Sequence, residues 1–321
     1  MSEVFIDHDE SKLENEIAKL ESQLAEAKAR LNTKRRAAST GSSSHQTLST
    51  PSHTTPSPTP PIPDSSHHYL LLLSDSALPL GSFAFSSGLE SYLAHARSPS
   101  SASALLYKPS FASFLPLSLS SYASTSLPFV LAAHRDPGTI AELDDVLDAS
   151  VICAVGRRAS VAQGRALLSI WEKSLAPSTA VAVAGAAGAR GALEAFSAAL
   201  RRSSSSKKTG GAENADLPSA SAHLAPLFGA VAQLLGLSLR QTAYVFLFSH
   251  AKALVSAAVR ASMFGPYQAQ KILAGGELQV LIADMVEREW DVSVEEAGQS
   301  VPVMDLWIGR HEMLYSRIFN S

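Results

Sequence analysis

The run Leu224-Ala-Pro-Leu-Phe-Gly-Ala-Val-Ala-Gln-Leu-Leu-Gly-Leu237, followed by Leu239 to Phe264 and Gln268 to Trp290, decides the fold class. Its apolar residues recur at helical spacing, and breaks at Gly236 and Gly265-Pro266 fall where short helix–helix connections belong. The spacing predicts three consecutive helices. No other stretch sustains the alternation of β-branched and polar residues that a half-buried strand requires, so the chain reads as all-α, a single helical-bundle domain.

Upstream, Val181 to Leu200 is alanine-rich and holds Gly185, Gly188 and Gly191. A phosphate-binding loop needs a following Gly-Lys-Ser/Thr after a strand, and none is present, so these glycines are read as small residues for close helix packing. Earlier still, Asp136-Pro137-Gly138 is a turn, Thr139 offers an N-cap with Glu142 three residues on, and Ile140, Leu143, Val146, Leu147, Val151 and Ala154 form a helical stripe. Another helical run covers Ser160 to Lys173. Phe111 to Ala133 is uncharged and by count long enough to cross a bilayer, yet Pro116 and Pro128 interrupt it and serines dilute it. It reads as a buried helix pair or a partly disordered insertion. Low-complexity insertions are placed near 98–127 and 201–221.

Pro79-Leu-Gly-Ser-Phe-Ala-Phe-Ser-Ser-Gly-Leu-Glu90 reads as an elbow. Pro79 and Gly81 mark a chain reversal, and the Ser87-x-x-Glu90 spacing is that of a capping box opening a helix to about His95. By local reading Phe83 and Phe85 are core rings. At the amino end, Leu13, Ile17, Leu20, Leu24, Ala27 and Leu31 form the seam of a short coiled-coil-like helix within residues 1–36, either a dimerisation element or a solvated helix. Residues 37–66 are a disordered Ser/Thr/Pro linker by composition, and 67–321 form the domain.

Composition narrows the function classes. The 321 residues are 46% hydrophobic and 17% charged with net charge −3, which argues against a general nucleic-acid binder. One cysteine, Cys153, excludes an internal disulfide and a cysteine zinc cluster, and with no apolar leader at the amino end a cytoplasmic location is expected. Catalytic patterns fail on inspection: His311-Glu312 lacks the second histidine of a zincin because position 315 is Tyr, and there is no Gly-x-Ser-x-Gly elbow. His67-His68 beside the linker reads as unliganded, and His250 as a core or interface histidine. The expectation is a non-enzyme.

Leu70 to Leu73 followed by Asp75 to Glu90, the block Arg158 to Leu167, His223 to Gly229, Val255 to Arg260, Gln270 and His311 to Ser321 together resemble, in order, the UreF family of urease accessory proteins. The resemblance implies an all-α, non-catalytic chaperone for nickel insertion into apo-urease. It also implies partners: a UreD/UreH-type accessory protein, the nickel-carrying GTPase UreG whose cycle it modulates, and a second copy of itself. Nickel is then cargo of the complex, and no cofactor is expected here. By position, His311, Glu312, Tyr315 and Arg317 match a tail that the family orders on meeting UreD; Gln163, Arg165 and Arg260 are further candidates, each equally able to close an internal network. The family context leaves Phe83, Phe85 and Glu90 between core and partner-facing surface. A helical adaptor unrelated to urease and a membrane-associated helical protein are the competing readings.

Overall fold

A computed structural model of the chain describes residue 19 and residues 65–96, 109–178, 187–209 and 220–320. The coiled-coil reading but for Lys19, residues 37–64 of the linker, Gly185, and residues 98–108 and 210–219 of the two insertions lie outside them; Ser65 and Ser66, read as linker, open a helix, and residues 201–209, read as insertion, continue one. Apart from Lys19, all described residues belong to one unit, Pro61–Ser321.

Eleven helices of eight or more residues, short 3-10 turns and a π-helical turn, Trp171–Leu175, that with Ala176–Ser178 prolongs the fifth of them make up the regular structure of the described residues, with no strand among them. In chain order they are α1 (Ser65–Ser74), α2 (Leu89–Ala96), α3 (Phe111–Arg135), α4 (Ile140–Ser150), α5 (Ala154–Ile170), α6 (Ala187–Thr209), α7 (Leu224–Leu234), α8 (Leu239–Arg260), α9 (Pro266–Ala274), α10 (Gly276–Glu289) and α11 (Pro302–Arg310). The last predicted helix is two, α9 and α10, because Gly275 takes an extended conformation between them.

α7 is apolar on every side, and a helix of that kind has to be surrounded. It packs against α3, α5 and α8, with Gln233 its least enclosed residue. Two glycines set how near its neighbours come. A Cβ on Gly229 would lie 2.1 Å from the Val130 carbonyl oxygen of α3, and a Cβ on Gly164 of α5 would lie 2.1 Å from the Ala222 carbonyl oxygen. By contrast, nothing lies within 4 Å of a Cβ placed on Gly188 or Gly191, so the close-packing reading of those two is corrected.

The stretch Phe111 to Ala133 is neither a helix pair nor an insertion. It is one continuous helix, α3, with Phe114, Leu119, Leu127 and Leu131 at its buried face. Pro128 has no N–H for the Ser124 carbonyl, and that carbonyl accepts instead from Gly298 N–H at 3.1 Å, fastening the chain between α10 and α11 to the centre of the fold. Ser300 Oγ accepts from Ser124 Oγ at 2.9 Å in the same seam. Among the described residues the helix that is long and apolar enough to cross a bilayer by count is α8, and its Val245, Phe246, Leu247, Leu254 and Val255 are buried within the bundle.

Two capping assignments also change. Thr139 does not cap α4; its hydroxyl donates to Asp136 O, while the Asp136 carboxylate accepts from Gly138 N–H at 2.8 Å and opens a 3-10 turn, Pro137–Thr139. α4 stops at Ser150, so Ala154 of the predicted stripe opens α5 instead, and both it and Val146 are exposed. At the elbow, Ser87 has φ +48° and Gly88 φ +87°, left-handed angles that an N-cap does not take. Ser86, fully buried, supplies the hydroxyl for Glu90 N–H at 3.4 Å. Gly88 is required twice over, since a Cβ there would also press on Trp307 and Ile308 of α11 at 3.2 Å.

Candidate partner-docking site

The elbow and the carboxyl-terminal tail, more than 200 residues apart in sequence, meet at Glu90. Both carboxylate oxygens are used: Oε1 accepts from Ile318 N–H at 2.7 Å, and Oε2 accepts from Phe319 N–H at 3.2 Å and from His311 Nε2 at 2.9 Å. The Glu90 side chain is 12% exposed and the His311 side chain 0%. Among the described residues His311 Nδ1 has no partner, so the ring N–H is placed on Nε2, which donates to Glu90. Asn320 N–H adds a bond to Ala84 O at 2.8 Å.

Arg260, at the end of α8, closes the clasp from the other side. Its guanidinium donates to the Phe83 carbonyl and stacks over the Phe319 ring at 4.4 Å. Burial of this guanidinium lowers its pKa. Gln163 of α5 accepts from Ser82 Oγ at 2.7 Å, tying the elbow's 3-10 turn to the bundle. Arg165 donates to Ser221 O at 3.2 Å. Gln163, Glu90 and His311 are therefore engaged inside the fold, while Arg165 is exposed and tied to the Ser221 carbonyl.

What the clasp leaves outside is different in kind. Phe83 is 64% exposed, and Met313, Tyr315 and Ile318 stand clear of the bundle. Arg317 is exposed and makes no hydrogen bond or ion pair with the described residues, while Glu312 pairs with Arg158 of α5. Phe85, half-buried, faces inward and helps to line a cavity of about 400 Å3. The two phenylalanines thus separate: Phe83 is surface, and Phe85 is a cavity wall, neither a fully enclosed core ring.

The cavity is also bounded by Ser118, Tyr122, Ser249 and His250. His250 stacks on Tyr122 with ring centroids 4.0 Å apart and meets Ser118 Oγ at 3.1 Å; burial lowers its pKa to about 3 and pushes the Tyr122 hydroxyl up, so both are neutral. Among the described residues no group of three His, Cys, Asp or Glu side chains is placed to hold a metal ion.

A second polar knot missed by the sequence reading fixes the entrance to α7. The fully buried Asp144 of α4 accepts three backbone N–H groups, from Ser221 at 2.7 Å, Ala222 at 3.0 Å and His223 at 2.6 Å. His223 in turn donates from Nε2 to Asp148 at 2.8 Å, and Ser160 meets its Nδ1 at 3.0 Å. Arg157 beside Asp148, with help from His223, holds that carboxyl far below the usual range. The i, i+4 spacing of Asp144 and Asp148 was visible in the sequence; that both point at one chain end was not.

Comparison with known proteins now bears on this geometry. The UreF family profile matches residues 108–276, and a Schizosaccharomyces pombe protein named "Uncharacterized urease accessory protein UreF-like" is 37% identical over 257 residues, 79% of this chain and 97% of its own length. The chain belongs to the UreF family. Among further relatives, the "Urease accessory protein F" of Oryza sativa subsp. indica is 32% identical over 77% of this chain and 82% of its own length. The "Urease accessory protein 6" of Cryptococcus neoformans is 28% identical over 79% and 96%. The profile covers α3 to α9, so the UreF match includes the helix that composition alone set aside as an insertion.

Proposed function

We propose that this UreF family member acts in urease maturation as a non-catalytic chaperone for nickel insertion into apo-urease. In this reading it bridges a UreD/UreH-type accessory protein and the nickel-carrying GTPase UreG, modulates the GTPase cycle, and works as a homodimer in the cytoplasm. Nickel passes through the complex as cargo, with no cofactor resident in this chain. The observation that carries the docking role is the tail: a polar clasp inside, and Met313, Tyr315, Ile318 and the unpaired Arg317 outside, on a fold whose relatives are named urease accessory proteins. Arginine and aromatic side chains of this kind supply most of the energy of polar interfaces.

Deletion of the protein in its own organism, followed by urease assay with and without excess nickel, tests the reading. Urease activity should be lost, and unchanged activity under both conditions would sink the proposal. Arg317→Ala should weaken assembly with the UreD-type protein on a sizing column while leaving the melting temperature of the isolated chain in place. A normal complex together with full urease activation would remove Arg317 from the interface.

A further inference from the structure

We propose that the cavity walled by Phe85, Tyr122, Ser249 and His250 is a binding site for a small uncharged organic molecule with an apolar body and a hydroxyl or amide edge. The inference goes beyond the urease reading and does not rest on it. Two hydroxyls at the cavity have nothing in the described fold to bond to. Ser249 Oγ is buried without a hydrogen-bond partner among the described residues. A helical serine or threonine readily turns its hydroxyl to the carbonyl four residues back, as Thr125 does to Ser121 O at 2.7 Å, and Ser249 does not. The buried Tyr122 hydroxyl bonds to no described residue either. Its ring lies flat against His250 and Phe246, with centroids 4.0 and 4.9 Å apart, so the hydroxyl is held in place without a polar partner. Buried polar groups are as a rule hydrogen-bonded, and two exceptions on the wall of a cavity of about 400 Å3 point to what the cavity takes in.

The chemistry of the wall limits the class of ligand. No Lys or Arg of the described residues lines the cavity, so a phosphate or carboxylate would enter without a counter-charge, at a cost that excludes it. The one carboxylate on the wall, Asp305, accepts from Gln299 Nε2 at 3.0 Å, and Tyr122 and His250 are both neutral. Phe85, Leu147, Phe228 and Met304 supply an apolar remainder, the mixture that small-molecule sites show. Ile152, which is 92% exposed, belongs to the same wall and marks its opening to solvent.

The test uses the full chain and three probes built on one ring system: β-naphthol, neutral with a hydroxyl; naphthalene, which lacks it; and β-naphthoate, which is anionic. Binding is read by titration calorimetry and, independently, by the rate at which iodoacetamide alkylates Cys153, the single cysteine of the chain, which lines the cavity. β-Naphthol should bind saturably and slow that alkylation. Naphthalene should bind at least about threefold more weakly for want of the hydrogen bonds, and β-naphthoate at least about tenfold more weakly for want of a counter-charge. Tyr122→Phe and Ser249→Ala should each weaken β-naphthol about three- to tenfold, the worth of one hydrogen bond, and leave the urea-unfolding midpoint in place because neither hydroxyl bonds to the fold. Ala253→Phe, which fills the cavity from α8, should abolish binding and the protection of Cys153; where that variant does not fold, the two hydroxyl variants decide. Absence of saturable β-naphthol binding, equal binding of β-naphthoate, or undiminished binding in both hydroxyl variants would overturn the site. Urease activity in the deletion strain decides the maturation reading separately.

Discussion

Asp144 illustrates how one buried side chain substitutes for a stretch of regular structure. Three backbone N–H groups before α7 have no helical acceptor, and burial denies them water; the carboxylate receives all three. Asp144→Ala should therefore lower stability by at least about 3 kcal/mol, measured by urea unfolding. The Phe83 and Phe85 rings allow a sharper contrast. Phe83→Ala should change stability by less than about 0.5 kcal/mol while weakening partner association, because the ring lies in solvent. Phe85→Ala removes a cavity wall and should cost less than the roughly 3 to 5 kcal/mol of an enclosed phenylalanine.

His250 makes a pH prediction with a definite sign. Its folded pKa of about 3 lies below the ordinary value near 6.5, so the unfolded chain takes up a proton that the native chain refuses. The stabilisation is whole above about pH 6.5 and is lost as pH falls toward 3, at a slope of about 1.4 kcal/mol per pH unit. Asp148, also depressed, acts in the same direction but lower, its contribution being lost below about pH 4. Denaturant unfolding at pH 7.5 and pH 5 should show a smaller difference for His250→Gln than for the unaltered chain.

Helices here are placed by their smallest residues and their interruptions. Gly229→Ala sets a methyl against the Val130 backbone, which cannot rotate away, so α3 and α7 must part; a loss of about 3 kcal/mol or more is expected from urea unfolding. Gly191→Ala on α6 meets nothing and should stabilise by roughly 0.5 to 1 kcal/mol, since it removes only the entropy cost of a helical glycine. The opposite signs come from identical substitutions in two alanine-rich helices, and periodicity does not distinguish them. Pro128 carries the same lesson. In the sequence it argued for a break, yet the bundle satisfies the carbonyl it releases through Gly298, and α3 continues.

For the whole molecule, helical periodicity, the absence of strand alternation and the ordered family blocks carried the all-α class and the UreF assignment without coordinates. Apolar spacing specifies how a segment buries itself, and it did so for α7, whose position at the core follows from having no polar side, while α8 is buried in part and leaves Arg240, Ser256 and Arg260 exposed. Local rules failed where long-range partners outbid them. Glu90 has the spacing of a capping residue, but a tail more than 200 residues away offers its carboxylate three donors, and Ser87 is left in a left-handed turn. Of the ten candidate site residues, the sequence could single out polar and aromatic groups; whether each faced inward or outward depended on which helices closed over it. The sequence alone thus determined what kinds of element form and which family they belong to, because both are written in local pattern and order. Tertiary structure alone decided that Gln163, Arg165, Arg260, Glu90 and His311 hold the fold while Phe83, Tyr315 and Arg317 are left to the solvent, because burial and hydrogen-bond partners are properties of the packed chain.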